Sequence, residues 1–110
     1  MREHYVHIAP GKEIGHGLSC FVVAEIGNNH QGRIDLAREM LNMAAQAGVD
    51  AVKVQKRDMQ ALLTAEGRNK PYTGNNSFGA TYGEHRDALE LSSAEMAELN
   101  LLASELGIVF

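Results

Sequence analysis

Tryptophan is absent from this sequence of 110 residues, and cysteine and proline are rare, with one and two residues respectively. A single cysteine excludes an internal disulfide, and chains without disulfides are typical of the reducing cytosol. Cys20 directly precedes an apolar run, which predicts a small buried side chain rather than a nucleophile. The sequence therefore predicts a cytoplasmic protein whose stability comes from an apolar core.

Long apolar runs and an excess of positive charge are also lacking. No stretch approaches the roughly 20 apolar residues of a membrane-spanning helix, and the first residues contain no apolar segment of a secretory signal. The formal net charge is −4, from 14 acidic and 10 basic side chains. Because a negative chain is a poor surface for a polyanion, we expect neither nucleic acid nor a membrane as a partner.

The most informative stretch that is present is FVVAEIGNNHQG, residues 21–32. Residues 21–26 are apolar and largely β-branched, apart from the carboxylate of Glu25, which is typical of a strand buried on both faces. A polar loop bounded by Gly27 and Gly32 follows, and a helical pattern follows the loop. Strand, polar loop and helix in this order predict a parallel α/β unit with its chemistry at the carboxyl end of the strand.

Regular elements are predicted on both sides of this stretch. Residues 1–20 contain short apolar and polar alternations around a Pro-Gly turn, which predict a small β-hairpin. Apolar residues at helical spacing predict a helix over 34–47, and residues 51–55 read as a second strand. Because the two strands are joined through a helix, strands 21–26 and 51–55 are expected to pair in parallel.

The second half of the chain begins with a long irregular segment. Residues 56–91 contain no long periodic pattern, and connections of this length in compact domains usually bind something. Ser92 and Glu95 have the spacing of a capping box, which predicts a helix from there to Gly107. Residues 108–110 begin a third strand, so the order of elements is typical of an α/β repeat.

Three polar side chains fall at or near the carboxyl ends of the two predicted strands: Glu25, Lys53 and Gln55. A lysine attracts a phosphate or carboxylate, and a glutamine amide binds hydroxyl groups, so together they suit an anion and a polyol. The spacing leaves a second interpretation open, in which Glu25 and Lys53 form an ion pair that only neutralises itself. No acid or thiol lies at ligand spacing from the amino-terminal histidines, which predicts surface positions rather than metal ligands for His4, His7 and His16.

The motifs AEIGNNHQG at 24–32 and GVDAVKVQ at 48–55 closely resemble the sialic acid synthases. The resemblance continues through KPYTGNNSFGATYGEHR at 70–86, LELS at 89–92 and ELGIVF at 105–110. The segment at 70–86 is most similar to the branch of the family that makes a 9-phosphorylated product. Together these motifs cover the chain from about residue 20 to its end.

This resemblance implies the amino-terminal portion of a (β/α)8 TIM barrel over residues 21–110, preceded by the small hairpin of residues 1–20. It also implies an enzyme that condenses phosphoenolpyruvate with an N-acylated hexosamine, such as N-acetylmannosamine or its 6-phosphate. A divalent metal, Mn²⁺ or Mg²⁺, is implied for the full-length enzyme, with its ligands outside this chain. The full-length enzyme is expected to be a homodimer.

The resemblance also assigns roles to individual residues. Lys53 and Gln55 fall where the family contacts phosphoenolpyruvate, and Glu25 falls at the position of the family's active-site glutamate. Asn75 falls near an asparagine that contacts the sugar. We expect this chain to be a fragment that is inactive alone, and two alternatives stay open: a freestanding non-catalytic binding or assembly module derived from the same barrel, and another phosphoenolpyruvate-dependent aldol synthase.

Overall fold

The computed structural model describes residues 4–110, so residues 1–3 of the predicted hairpin lie outside the described residues. The chain is mixed α/β, with two small sheets and five helices among these residues. The strands are β1 (Tyr5–Ala9), β2 (Lys12–Gly15), β3 (Val23–Gly27) and β4 (Ala51–Val54). The helices are α1 (Ile34–Gln46), α2 (Met59–Leu62), α3 (Ala65–Asn69), α4 (Tyr82–Ala88) and α5 (Ser93–Leu106).

The amino-terminal hairpin is confirmed for the described residues. Strands β1 and β2 pair antiparallel, with Tyr5 opposite Gly15 and a register shift between His7 and Ala9. The carboxylate of Asp50 joins this hairpin to the second sheet, because its Oδ1 lies 3.0 Å from Lys12 Nζ and its Oδ2 accepts from Val22 N at 2.8 Å. These two contacts hold the pKa of Asp50 below its usual range.

The second sheet is the α/β unit that the sequence predicts. Strands β3 and β4 pair in parallel and are connected through α1, as expected. Val109 extends this sheet on the other side of β4 through a single parallel bridge to Ala51. The predicted third strand at 108–110 is therefore present as one bridge rather than a full strand among the described residues.

One face of this sheet is covered by helices and carries the core. Helices α1 and α5 pack over it, α1 ends at Gln46 close to its predicted end, and α5 begins with the predicted capping box at Ser92. The buried residues of this core are Ile26, Ala37, Leu41, Ala44, Val52, Leu91, Leu99 and Ala103. We expect burial of these apolar side chains to supply most of the stabilising free energy.

Two predictions of burial are wrong. The strand at 21–26 is not buried on both faces, because the helices cover only one face and Val23 remains 47% exposed on the other. Cys20 is exposed rather than a small core residue, since it lies in the segment before β3 and outside the helix-covered face. Among residues 4–110 no helix is long and apolar enough to cross a membrane.

The long segment at 56–91 is more regular than its sequence indicates. It contains α2, α3 and α4, and the last of these begins with a capping box in which Thr81 accepts from Glu84 N. Helices α3 and α4 have five and seven residues, which is too short to show a helical period in the sequence, whereas the apolar residues of 58–64 do favour the helical turn found at Met59–Leu62. The Thr81–Glu84 spacing was the available signal for the start of α4.

Candidate active site

The carboxylate of Glu25 and the ammonium group of Lys53 form an ion pair on the open face of the second sheet, which is the face that the helices do not cover. Glu25 of β3 lies directly opposite Lys53 of β4, and Lys53 Nζ lies 2.8 Å from Glu25 Oε2. Their side chains are 48% and 60% exposed, respectively. Glu25 is thus an accessible carboxylate rather than a buried one, and an ion pair this exposed contributes little to stability and remains open to a ligand.

Gln55 lies just beyond the end of β4, beside the turn that follows β3. Its backbone N–H donates to Gly27 O at 3.3 Å, and its side-chain Oε1 accepts from Arg57 Nη2. The side-chain amide of Asn28 is oriented so that both its nitrogen and its oxygen form hydrogen bonds. In this orientation Nδ2 donates to the backbone oxygen of Gln55 at 3.3 Å. Gln55 and Asn28 therefore join the carboxyl ends of the two strands.

Asn75 is exposed and lies in the loop between α3 and α4. The loop is closed at its base, where Tyr72 N donates to Ala80 O at 3.0 Å and Tyr82 N donates to Lys70 O at 2.9 Å. Within the described part of the chain, no hydrogen bond or ion pair joins Asn75 to Glu25, Lys53 or Gln55. The structure thus pairs Glu25 with Lys53 and links Gln55 to the turn after β3, and the role of Asn75 stays a prediction.

An aromatic cluster holds the loop that carries Asn75. The His85 ring is buried and stacks on Tyr72 with ring centroids 4.3 Å apart, and its Nδ1 accepts from Phe78 N at 3.1 Å. Sequence reasoning missed this role of His85, because histidine and tyrosine ten or more positions apart show no local pattern. The cluster therefore gives the loop a defined shape.

His30 lies in the polar turn that follows β3. Its side chain is fully buried, and its Nδ1 accepts from Gly32 N at 3.1 Å. Its Nε2 has no hydrogen-bond partner among the described residues. Burial lowers the pKa of His30, and the nearby carboxylates of Glu90 and Glu95 oppose that shift only in part.

We expect the stability of the chain to fall between pH 7.5 and pH 5.0 because of His30. The unfolded chain takes up a proton near the ordinary pKa of 6.5, whereas folded His30 stays neutral to lower pH, so protonation favours unfolding. The variant His30→Asn keeps an acceptor for Gly32 N–H but cannot take up the proton. Its melting temperature should therefore depend less on pH than that of the unaltered chain.

The control for this measurement is His16→Asn, because His16 is exposed. It should show the same pH dependence as the unaltered chain. The lowered pKa values of Asp50 and Glu95 act in a separate window, near pH 4 and below, where their protonation removes stabilising contacts. Identical pH profiles for His30→Asn and the unaltered chain would contradict the prediction.

The described part of the chain offers no evident metal site. Among residues 4–110 there is no group of three or more histidine, cysteine, aspartate or glutamate side chains that could hold one. The amino-terminal histidines are exposed, as expected, at His4, His7 and His16. Metal ligands outside this chain stay a prediction.

Comparison with known proteins gives a consistent set of relatives. Residues 40–110 match the NeuB family. Human N-acetylneuraminate-9-phosphate synthase is 41% identical over 105 residues, which are 96% of this chain and 29% of the human protein. The N,N′-diacetyllegionaminic acid synthase of Legionella pneumophila is 38% identical over 100 residues, 90% of this chain and 28% of that protein.

Two solved structures share the fold. A sialic acid synthetase from Leptospira borgpetersenii superposes with a TM-score of 0.73 at 23% identity, covering 98% of this chain and 33% of that one. The spore coat polysaccharide biosynthesis protein SpsE of Bacillus subtilis superposes with a TM-score of 0.64 at 26% identity, covering 97% and 26%. This chain therefore spans about a third or less of each of these proteins.

Proposed function

Because the chain belongs to the NeuB family, we propose that it forms the amino-terminal part of a synthase that joins phosphoenolpyruvate to an N-acylmannosamine or its 6-phosphate. The product would be a nonulosonic acid or its 9-phosphate. The relatives' names include both a 9-phosphate synthase and a synthase of a sugar acid named without phosphate, which supports this class of reaction. We also propose that the whole enzyme is a cytoplasmic homodimer.

The observation that carries this proposal is the half-exposed pair of Glu25 and Lys53 on the open face of two parallel strands. In a (β/α)8 barrel the chemistry lies at the carboxyl ends of the strands, and catalytic side chains come from several of them. We propose that the sheet of β3, β4 and the bridge at Val109 is the beginning of such a barrel. Its open face would then become the interior.

In the proposed reaction, C3 of phosphoenolpyruvate attacks the aldehyde carbon of the sugar, water adds to the resulting oxocarbenium ion at C2, and phosphate leaves. The Lys53 ammonium would donate to the phosphate or carboxylate of phosphoenolpyruvate, and Gln55 would contact the same substrate. Glu25 would act as the active-site carboxylate beside Lys53, 2.8 Å away. Asn75 would contact the sugar from its loop.

A divalent metal, Mn²⁺ or Mg²⁺, would be held by residues outside this chain and would polarise the sugar aldehyde. The described residues contain no group of three or more ligands suitable for it. The contribution of this chain is to bind and orient phosphoenolpyruvate and to place a carboxylate near the reacting atoms.

Product analysis by mass spectrometry tests the proposal. The whole synthase that contains this chain is incubated with phosphoenolpyruvate, Mn²⁺ and either N-acetylmannosamine or its 6-phosphate. We expect a nonulosonate product and release of inorganic phosphate with at least one of the sugars. Failure with both sugars would overturn the proposed function.

The 110-residue chain alone serves as the matched comparison. We expect it to form no product, because it spans only 29% of the length of its human relative. Metal-dependent formation of nonulosonate by the chain alone would contradict its assignment as an inactive fragment. Specific binding to another protein, without turnover in any form, would instead support a binding or assembly module.

A further inference from the structure

Four basic side chains lie at or near the carboxyl ends of β3 and β4, although the whole chain carries a net charge of −4. They are Lys53, Lys56, Arg57 and Arg86. Two of the lysines there are paired with carboxylates, Lys53 with Glu25 at 2.8 Å and Lys56 with Glu90 at 3.2 Å. Two guanidinium groups are left over, those of Arg57 and Arg86. Within residues 4–110 neither has a carboxylate within 4.0 Å, so neither is part of an ion pair.

Neutral amides hold these two guanidinium groups at the strand ends. Arg57 Nη2 donates to Gln55 Oε1, so the Arg57 side chain is directed back towards the end of β4. Arg86 Nη2 donates to Asn28 Oδ1 at 3.1 Å, and the same amide donates to Gln55 O at 3.3 Å. Arg57 and Arg86 are therefore linked to one another through Gln55 and Asn28.

Arg57 is also anchored through its backbone. Its N–H donates to Glu90 Oε2 at 2.9 Å, and Glu90 lies in the connection between α4 and α5. The carboxylate of Glu90 thus contacts the Arg57 backbone and Lys56, and leaves both guanidinium groups without a counter-ion. Arg86 belongs to α4, so the two arginines approach the strand ends from different elements.

The Arg86 side chain also carries a buried donor. Its Nε is inaccessible to solvent and has no hydrogen-bond partner among the described residues. A buried N–H without an acceptor costs free energy, and a charged group without a counter-ion costs more. The guanidinium as a whole has no carboxylate within 4.0 Å among the described residues, and such an uncompensated positive charge favours an anionic ligand such as a phosphate.

We propose that Arg57 and Arg86 form a second anion site that binds a phosphate monoester on the acceptor sugar. This inference rests on the proposed function, in which Lys53 takes the anionic groups of phosphoenolpyruvate. A neutral sugar would leave both guanidinium groups without an anion. The 6-phosphate of an N-acylmannosamine would supply one, so these residues select the phosphorylated acceptor.

The test measures kcat/KM of the whole synthase with N-acetylmannosamine 6-phosphate and with N-acetylmannosamine, at saturating phosphoenolpyruvate. We expect the unaltered enzyme to prefer the 6-phosphate. The variants Arg57→Gln and Arg86→Gln should lower this preference by about 10- to 100-fold each, as the loss of a hydrogen bond to a charged group does. Arg86→Lys should retain part of the preference, because it keeps the charge.

Arg38→Gln is the matched control. Arg38 lies on the surface of α1 and pairs with Glu98, so the same change there should leave the preference between the two sugars unaltered. Melting temperatures close to that of the unaltered enzyme confirm that each variant folds.

Three results would overturn the inference while leaving the proposed function in place. The first is a preference of the unaltered enzyme for the neutral sugar. The second is an equal loss with both sugars, which indicates a structural role. The third is a raised KM for phosphoenolpyruvate with an unchanged preference between sugars, which would place these arginines at the first anion site. Turnover of neither sugar would overturn both the inference and the proposed function.

Discussion

Replacing Lys53 with methionine should reduce kcat/KM of the whole synthase by roughly two to three orders of magnitude. The change keeps the apolar stem of the side chain and removes the ammonium that we propose binds phosphoenolpyruvate. Loss of one partner from a charged hydrogen bond typically costs about 2–5 kcal/mol when the other charge stays buried. Steady-state kinetics with phosphoenolpyruvate as the varied substrate measures this effect.

The stability of the chain should change far less. Lys53 and Glu25 are 60% and 48% exposed, so removing one of them leaves a solvated partner rather than a buried unpaired charge. The expected change in the free energy of unfolding is at most about 1 kcal/mol. The alternative interpretation, in which Lys53 only neutralises Glu25, predicts near-normal turnover, because an ion pair this exposed has little effect on stability in either interpretation.

The control is Lys70→Met, because Lys70 is exposed and forms no ion pair among the described residues. Its kinetics and melting temperature should stay close to those of the unaltered protein. Near-normal turnover of Lys53→Met would end the assignment of Lys53 to phosphoenolpyruvate.

The second large effect is expected for Gly32→Ala, which should lower the free energy of unfolding by about 3–5 kcal/mol. Gly32 has a φ of +72°, which an L-residue adopts only with strain. A Cβ at this position would also lie 2.1 Å from the backbone oxygen of Ala88. A backbone atom cannot move aside as a flexible side chain can, so the end of α4 must separate from the turn after β3.

Gly48→Ala separates these two causes. Gly48 has a φ of +83°, but a Cβ there would meet no atom within 4 Å. It should cost only the conformational strain, about 1–2 kcal/mol. Urea unfolding of the chain, followed by circular dichroism, measures both variants, and equal losses would show that the contact with Ala88 has no energetic effect.

The same contact explains why part of the candidate site could not be predicted. The turn after β3, which contains His30 and Gly32, packs against the segment around Ala88, which contains Arg86. The two segments are more than 50 positions apart in the sequence. No period or spacing connects these two segments. The only local sign was the polar, glycine-bounded composition of the turn, which also suits a turn without function.

The sequence by itself determined the parallel pairing of β3 and β4 and placed Glu25 and Lys53 near their carboxyl ends, because side-chain alternation and the crossover through α1 allow few other arrangements, whereas the register that sets Glu25 opposite Lys53 came from the structure. It also determined the capping box of α5, which is a local pattern. Only the tertiary structure decided that Glu25 and Lys53 are half-exposed. It also decided that Arg57 and Arg86 are linked at the strand ends through Gln55 and Asn28. Exposure and long-range contacts depend on which elements cover each face, and that is a property of the packed chain rather than of any short stretch of it.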